Sequence, residues 1–436
     1  MRGKINFATA LSVVIANMVG TGVFTSLGFQ LPGIPDYAAI LILWIVGGII
    51  ALLGSFSYSE LGAALPRSGG EYHFLSEIFH PSIGFLSGWV SATIGFAAPI
   101  AAASWALGSY MNKIFPSLHP QTTGSIVIVL VTIIQSISYE VGGGFQTVAT
   151  SLKVLLILLF AGFGIFAVSQ PNLHFLPTIS TWHAVASPAF AISLVYVSFA
   201  YSGWNASAYI AGEMEQPKRN IPLSILGGTA LVSILYILLN FVFLKTAPAK
   251  EMENVPEVAF VSAKYIFGEE GGRIISLIIS ILLVSTISSM VIVGPRILQM
   301  IGEDYPLFKA LAKPNSKGIP VTAIVTQSVI ALLLLYSSSF DMIITYISFT
   351  LTLFSTLTVL GVIVLRFKDP HLERPYKTFG YPITPVLYIL ANCWFLYFVF
   401  RGKPTEALVG LGIVAAGALV WLLIKKPANG GEIKRV

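Results

Sequence analysis

Charged residues and cysteine are scarce in this sequence of 436 residues. Asp, Glu, Lys and Arg together make up 10% of it, whereas 55% of the residues are hydrophobic, and Cys393 is the single cysteine. This apolar fraction exceeds what a soluble core of this size needs, so it indicates a protein that crosses a membrane several times. A single cysteine excludes an intramolecular disulfide.

Patterns typical of enzymes and cofactor-binding proteins are also missing. The sequence shows no nucleophile–base arrangement, no metal-ligand spacing and no phosphate-binding glycine loop attached to a strand. Its six histidines all fall in predicted loops. No basic tract is dense enough to indicate nucleic-acid binding. We therefore expect no enzymatic activity, no cofactor, no metal and no nucleic-acid partner.

Apolar runs, in contrast, occur along the whole sequence. About 20 apolar residues span a bilayer as a helix, and no stretch has the alternation of a transmembrane barrel. The predicted fold is an all-α integral membrane protein with twelve transmembrane helices in one domain, 1–436. The predicted spans lie at about 7–29, 37–63, 84–111, 122–138, 144–168, 186–211, 223–246, 274–299, 320–337, 341–365, 382–400 and 405–424.

Lysine and arginine are unevenly distributed between the predicted loops. Most of the 25 lie in the two terminal segments and in alternate loops, which the positive-inside rule places in the cytoplasm. The first apolar run is too long for a secretory signal and lacks a small-residue cleavage site, so we expect it to be retained. We therefore predict a multi-pass protein of the cytoplasmic membrane with both termini inside.

Two predicted spans are interrupted by small and polar residues near mid-membrane. Gly20-Thr21-Gly22 interrupts the first span, and the segment 198–207 interrupts the sixth. Interrupted spans in matching positions of two repeats are typical of transporter binding sites. For the first span, the alternative is a packing face of small residues. Helices 1–5 (about 7–168) and 6–10 (about 186–365) enter the membrane from opposite sides, which predicts an inverted repeat, with helices 11 and 12 (about 382–424) as an accessory pair.

Lys153 lies well inside the fifth apolar run. One interpretation is a lysine near a helix end that snorkels to the membrane surface. A deeper ammonium would cost about 2.5–3.5 kcal/mol and would need carbonyl or hydroxyl partners. The eighth span offers such hydroxyls, although hydroxyls often bond only to carbonyls of their own helix. They belong to Ser285, Thr286, Ser288 and Ser289.

An ordered set of motifs gives the sequence a family resemblance. The motifs are Gly20-Thr21-Gly22-Val23-Phe24, the Pro-x-x-Gly-Gly-x-Tyr core of 60–72, the segment Phe199 to Asn205, Gly212-Glu213 with Pro217 to Pro222, and Leu365-Arg366 through Tyr381-Pro382. Over about residues 5–400 the sequence resembles the amino acid–polyamine–organocation superfamily, especially the L-type amino acid transporters and their bacterial relatives. The resemblance implies a LeuT-like, five-plus-five inverted-repeat fold with discontinuous helices 1 and 6.

The resemblance also implies an amino acid site between the two breaks. Broken helices offer amide donors and carbonyl acceptors, so we expect the substrate carboxylate at residues 20–22 and its ammonium at carbonyls near Met18, Phe199 and Ser202. Phe199 resembles the family's aromatic gate, and Asn205 is expected to cap the second half of helix 6. The implied substrate-binding residues are Met18, Val19, Gly20, Thr21, Gly22, Phe199, Ala200, Ser202, Asn205 and Ser289.

Lys153 matches a helix-5 lysine of this family, which resembles a stand-in for the sodium ion of sodium-coupled relatives. In that role its ammonium would bridge a helix 1 carbonyl, such as that of Val19, and the hydroxyls of Ser285, Thr286 and Ser288. This implies sodium-independent transport. Alternatively, Lys153 or Glu213 titrates and couples transport to protons.

Departures from the family bear on partners and substrates. Animal light-chain relatives bond a heavy subunit through a cysteine between helices 3 and 4, but the loop 112–121 contains none. We therefore expect no disulfide-linked heavy subunit, and the oligomeric state stays open. No Asp or Glu lies centrally in spans 1, 3, 6, 8 or 10, which disfavours cationic amino acids and polyamines.

The resulting functional prediction is sodium-independent transport of neutral L-amino acids, by exchange and alternating access. Proton-coupled symport is the alternative within the same class. An amino acid-sensing membrane receptor is a remote alternative, because it would need a cytoplasmic domain and only a short tail follows Lys425. Membrane lipid is the one further partner expected.

Overall fold

The computed structural model describes residues 5–137, 140–167, 170, 173–337 and 339–424, and only the backbone of 140–146. The basic terminal residues used for the orientation, Arg2, Lys4, Lys425, Lys426, Lys434 and Arg435, lie outside these ranges. No strand occurs in the described ranges, and a single isolated bridge pairs Ile5 with Met214. The helices are α1 (Phe7–Met18), α2 (Thr21–Gln30), α3 (Tyr37–Ala64), α4 (Glu71–Ile78), α5 (Pro81–Val90), α6 (Ala97–Ile114), α7 (Pro120–Ile137), α8 (Glu140–Phe166), α9 (Ile179–Val185), α10 (Pro188–Tyr201), α11 (Ala206–Tyr209), α12 (Pro217–Thr246), α13 (Ala249–Met252), α14 (Val258–Val293), α15 (Pro295–Asp304), α16 (Lys309–Ala312), α17 (Val321–Ser337), α18 (Phe340–Lys368), α19 (Ile383–Gly402) and α20 (Pro404–Leu423).

Within the described ranges, ten helical segments are long and apolar enough to cross a membrane, so the chain is a multi-pass membrane protein. Two of the twelve predicted spans are not among the ten. The predicted span 186–211 is divided into α10 and α11 by a turn at 202–205, and α10 meets the preceding α9 at a 67° bend. The predicted span 320–337 becomes α17, a shorter apolar helix. The ten segments are Phe7–Gln30, Tyr37–Ala64, Pro81–Ile114, Pro120–Ile137, Thr147–Phe166, Pro217–Thr246, Val258–Asp304, Phe340–Lys368, Ile383–Gly402 and Pro404–Leu423.

Local sequence explains where several of these helices begin. The Asn6 side chain accepts a hydrogen bond from the Thr9 amide at 2.9 Å, and Asp36 accepts one from the Ala39 amide at 2.8 Å. Such caps satisfy first-turn amides that have no partner within the helix. Pro188 and Pro404 occupy first-turn positions, where a missing amide hydrogen costs nothing.

Short helices outside the spans also hold polar residues. The segment after α3 forms a short helix, α4, at Glu71–Ile78. His73 lies in α4 and His183 lies in α9, so the prediction that every histidine falls in a loop is wrong for these two. Both helices are too short to show a periodic pattern in the sequence.

The core is built around the broken first span. α1 packs against α8 and α12, α2 packs against α10, and α3 lies along α12. α14 packs on α6 and also contacts α1 and α2. The two interrupted spans are therefore enclosed by long continuous helices, which hold the breaks in fixed positions near the centre of the bundle.

Candidate functional site

The first break lies at Val19 and Gly20, between α1 and α2. Gly20 donates its amide hydrogen to the Met18 carbonyl at 2.8 Å, so the chain turns before α2 begins. The following amides, at Thr21 and Gly22, belong to the first turn of α2 and have no carbonyl of that helix to bond. The carbonyl end of α1 and the amide end of α2 therefore meet here, with opposite partial charges.

The second break is the turn Ser202–Asn205, between α10 and α11. Gly203 has φ +92°, a left-handed conformation that glycine adopts without steric cost. A Cβ atom on Gly203 would lie 2.9 Å from the Asn17 Cβ atom, so this turn also packs directly on the end of α1. The two breaks are therefore in contact.

α2 and α10, which are halves of the two broken spans, also touch. A Cβ atom on Gly22 would lie 2.4 Å from the Ala200 Cα atom, which only a glycine permits. Nearby, the Tyr236 hydroxyl of α12 lies 2.5 Å from the Met18 carbonyl oxygen and 3.0 Å from that of Ala200. A phenol has one proton to donate, so the hydroxyl is shared between the two broken spans. Sequence reasoning missed Tyr236, because nothing local distinguishes it from other aromatic residues in an apolar run.

Two of the carbonyls assigned to a substrate ammonium, those of Met18 and Phe199, accept hydrogen bonds from protein donors. The Met18 carbonyl accepts hydrogen bonds from the Gly20 amide and the Tyr236 hydroxyl. The Phe199 carbonyl accepts from the Ser202 amide at 3.0 Å and from the Ser202 hydroxyl at 2.7 Å. A bound ammonium at either carbonyl would therefore have to displace a donor from its neighbour.

Lys153 reaches the first break from α8. Its Nζ atom lies 2.8 Å from the Val19 carbonyl oxygen and 2.8 Å from the Thr286 Oγ1 atom. The Thr286 hydroxyl in turn donates to the same carbonyl at 3.0 Å. Lys153 is only 1% exposed, so it does not snorkel to the membrane surface. The ammonium joins α8 and α14 to the end of α1.

Two other α14 hydroxyls, those of Ser288 and Ser289, accept hydrogen bonds from residues other than Lys153. Ser288 accepts a hydrogen bond from the Gln135 Nε2 atom at 2.8 Å, so it serves α7 rather than Lys153. Ser289 is buried and accepts one from the Asn17 Nδ2 atom at 2.7 Å, so it contacts the end of α1. Ser285 is buried on the same helix. Of these hydroxyls, Thr286 supplies the bond to Lys153 described above.

A cavity of about 100 Å³ lies beside the second break. Among the residues implied by the resemblance, Ser202 and Asn205 line it, whereas residues 18–22, Phe199, Ala200 and Ser289 do not. Phe199 is buried, with 6% of its surface exposed. The cavity wall also includes Asn17, Glu71, Ser91, Phe96, Tyr209 and Tyr388. The cavity therefore borders the second break more closely than the first.

Glu71, the first residue of α4, is a buried carboxyl in this wall that sequence reasoning did not single out. Its Oε1 atom accepts hydrogen bonds from the Tyr58 hydroxyl and, at 3.2 Å, from the Asn205 Nδ2 atom. The Ser87 hydroxyl lies 3.5 Å from Oε2. α4 lies between membrane spans, and burial raises the pKa of the Glu71 carboxyl to about 7, although all three donors favour the charged form.

Asn205 differs from its expected capping role. It occupies the N-cap position of α11, but its side chain makes no capping hydrogen bond. The side-chain amide is directed to Glu71 instead. In the sequence, Glu71 could have been noticed as an acidic residue directly after two glycines. Glycine is needed at position 70, because that residue has φ +52°.

Glu213, the other titratable candidate, lies outside the cavity wall. Its Oε1 atom lies 3.1 Å from the Arg296 Nε atom, so it forms an ion pair with a buried arginine of α15. Within the described ranges, no three His, Cys, Asp or Glu side chains come together as metal ligands would.

Comparison with known proteins identifies the family. The family described as amino acid permease matches residues 5–420. The chain is 29% identical over 432 residues to the serine/threonine exchanger SteT of Bacillus subtilis, an alignment that covers 98% of each chain.

Two human relatives are similar over nearly the whole chain. The large neutral amino acids transporter small subunit 2 is 26% identical over 433 residues, covering 97% of this chain and 80% of that protein. The b(0,+)-type amino acid transporter 1 is 26% identical over 438 residues, covering 97% of this chain and 88% of that protein. The chain therefore belongs to the amino acid permease family of the amino acid–polyamine–organocation superfamily, close to the L-type amino acid transporters.

Proposed function

We propose that this protein is a sodium-independent exchanger of neutral L-amino acids in the cytoplasmic membrane, with both termini inside. It would work by alternating access on a single domain of twelve spans, arranged as a five-plus-five inverted repeat. Its relatives include a serine/threonine exchanger and a large neutral amino acids transporter, which supports this class of substrate.

The observation that carries the proposal is the contact of Lys153 with the first break. Its ammonium lies 2.8 Å from both the Val19 carbonyl oxygen and the Thr286 hydroxyl. Oxygen ligands of this kind, at the carbonyl end of a half-helix, are also what a sodium ion takes in broken-helix transporters. A covalently fixed cation there would stabilise the break without an ion gradient, so transport would not need sodium.

Substrate binding follows from the two breaks. The substrate carboxylate would bind the first-turn amides of α2 at Thr21 and Gly22, where the helix dipole is positive. The ammonium would compete with the Tyr236 hydroxyl for the Met18 carbonyl and with Ser202 for that of Phe199. Binding would therefore loosen the contacts that join the two broken spans, which couples substrate to conformational change.

Phe199 is the proposed gate, and the position of the single cysteine bears on subunit partners. Phe199, buried on the last turns of α10, would close over the bound substrate. The protein would act without a disulfide-linked heavy subunit, because its single cysteine, Cys393, lies on α19 and not in the loop 112–121.

Transport in liposomes tests the proposal. The purified chain is reconstituted, and uptake of radiolabelled L-serine, L-threonine and L-leucine is measured with and without unlabelled amino acid inside the vesicles. We expect uptake that needs internal amino acid and is unchanged when choline replaces sodium. Uptake into empty vesicles that follows an imposed proton gradient would favour symport and contradict the exchanger.

A further inference from the structure

Glu71 is a buried carboxyl to which the described part of the chain supplies no basic partner. It is 3% exposed, and none of the ion pairs formed by the described residues includes it. An ionised carboxylate that is buried without a cation is costly. The carboxyl nevertheless adjoins a cavity that can hold water, because Glu71 lines the cavity beside the second break.

The groups around Glu71 come from five elements and none carries a formal charge. α3 contributes the Tyr58 hydroxyl, α5 the Ser87 hydroxyl, and the second break the Asn205 amide. The phenols of Tyr209 on α11 and Tyr388 on α19 also face the carboxyl. On its own helix, burial and the charge of Arg67 hold the pKa of His73 at about 3, so that imidazole is neutral.

The hydrogen bonds to Glu71 depend on its ionisation. A carboxylate can accept from all three donors, whereas a protonated carboxyl must donate one hydrogen itself. The Tyr58 and Ser87 hydroxyls can change from donor to acceptor by rotation, but the NH₂ group of Asn205 cannot accept. Protonation leaves Asn205 donating to a neutral carboxyl instead of a carboxylate. This weakens the link between α4 and the second break, because hydrogen bonds to charged groups are the stronger ones.

We propose that Glu71 is a proton-binding site of this transporter, and that its protonation weakens the α4–Asn205 link and thereby sets the rate of transport. The proton enters and leaves through the cavity. This inference rests on the proposed transport function but assigns the pH-sensitive group to Glu71 rather than to Lys153 or Glu213. The raised pKa of the carboxyl, about 7, places the change in ionisation near neutral pH.

The first test is the pH profile of exchange. Exchange of radiolabelled L-serine against internal L-serine is measured between about pH 5.5 and 8.5, with equal pH on both sides of the vesicle. For the wild type we expect two plateaus that differ severalfold, with a midpoint near 7. Glu71→Gln, which resembles the neutral acid, should hold the rate at the low-pH plateau throughout the range. Glu303→Gln is the matched control, because Glu303 is exposed on α15 and should leave the profile unchanged.

The second test follows the protonation of the carboxyl itself and does not need transport. Infrared difference spectra of the protein in lipid follow the carboxylic acid band as pH is changed. The wild type should show a band that titrates near 7 and is missing in Glu71→Gln. Tyr58→Phe removes one donor to the carboxylate, so the midpoint should rise by about one pH unit.

Two results would overturn the inference. One is a pH profile of exchange that is the same in Glu71→Gln as in the wild type. The other is an infrared spectrum in which no band lost in Glu71→Gln titrates between about pH 5.5 and 8.5. If the wild type does not transport but the infrared band titrates as expected, the proposed substrate or function has failed while the proton site stands.

Discussion

The two breaks near the centre of the bundle are held by buried groups of opposite type. At the first break the Lys153 ammonium lies 2.8 Å from the Val19 carbonyl, whereas at the second the Glu71 carboxyl accepts the Asn205 side chain at 3.2 Å. The end of α1 presents a carbonyl, which attracts a cation. The second break presents an amide donor, which needs an acceptor.

The difference has a functional consequence. At the first break, Lys153 bonds to the Val19 carbonyl and to the Thr286 hydroxyl. The acid at the second break has a pKa of about 7, so its bonds change near neutral pH. We therefore interpret the second break as adjustable by pH, and the first as held by the contacts of Lys153. Four substitutions test this comparison, from the largest expected effect to the smallest.

Lys153→Ala removes the cation from the first break. The Val19 carbonyl and Thr286 lose a partner in a buried position, which costs about 1–3 kcal/mol and displaces the end of α1. We expect exchange to fall by at least about tenfold, while yield and monodispersity on gel filtration are largely kept. Lys218→Ala, at an exposed ion pair with Glu373, is the control and should transport normally. Wild-type kinetics in Lys153→Ala would refute the role of this lysine.

Phe199→Ala opens the buried end of α10 next to the second break. Removing a buried phenylalanine ring costs about 3–5 kcal/mol of stability and leaves space where substrate would be enclosed. We expect a lower thermal unfolding temperature and an apparent KM that rises by about tenfold or less. Phe166→Ala, with its ring 91% exposed, controls for the loss of an aromatic residue. Unchanged KM and rate would mean that the gate lies elsewhere.

Tyr236→Phe removes the hydroxyl that joins the two broken spans. The Met18 and Ala200 carbonyls lose a shared donor, whose hydrogen bond contributes about 0.5–1.5 kcal/mol to stability. The rate of exchange should therefore change by about two- to tenfold. The effect should appear in the apparent affinity, because the substrate ammonium no longer competes with the hydroxyl. Tyr265→Phe, whose exposed hydroxyl bonds to Glu251, serves as the control. Equal affinities in Tyr236→Phe and the wild type would contradict that competition.

Asn205→Ala removes the link between Glu71 and the second break. The carboxylate loses one donor that lowers its pKa, so the charged form becomes less favourable. The midpoint of the pH profile of exchange should therefore move to higher pH, by about half a unit, and the difference between its plateaus should shrink. Gln299→Ala, on the exposed face of α15, should leave both unchanged. A midpoint that moves to lower pH would contradict the assignment.

The sequence predicted the parts of the site that disturb a local pattern. Two glycines around Thr21 in an apolar run indicate a broken span, and Lys153 is conspicuous because a charge inside such a run needs partners. The all-α, multi-pass class follows from composition, since apolar runs of span length recur along the chain. These features need no knowledge of which helices are neighbours.

The parts that were missed depend on tertiary packing. Glu71 is in a segment rich in turns, and it becomes buried only because α4 folds against α3 and α5. Tyr236 acquires its role only when α12 brings its hydroxyl to both breaks. Asn205 holds the cap position, but its side-chain amide donates to Glu71, which α4 brings to it, and its side chain makes no capping bond to α11.

Exchange measured as a function of both pH and sodium tests the contrast between the breaks most directly. Wild type and Glu71→Gln are compared in vesicles with sodium or choline on both sides, across about pH 5.5 to 8.5. The predicted result is no effect of sodium at any pH, with a midpoint near 7 in the wild type and a flat profile in Glu71→Gln. Stimulation by sodium, or a pH profile that survives in Glu71→Gln, would contradict it.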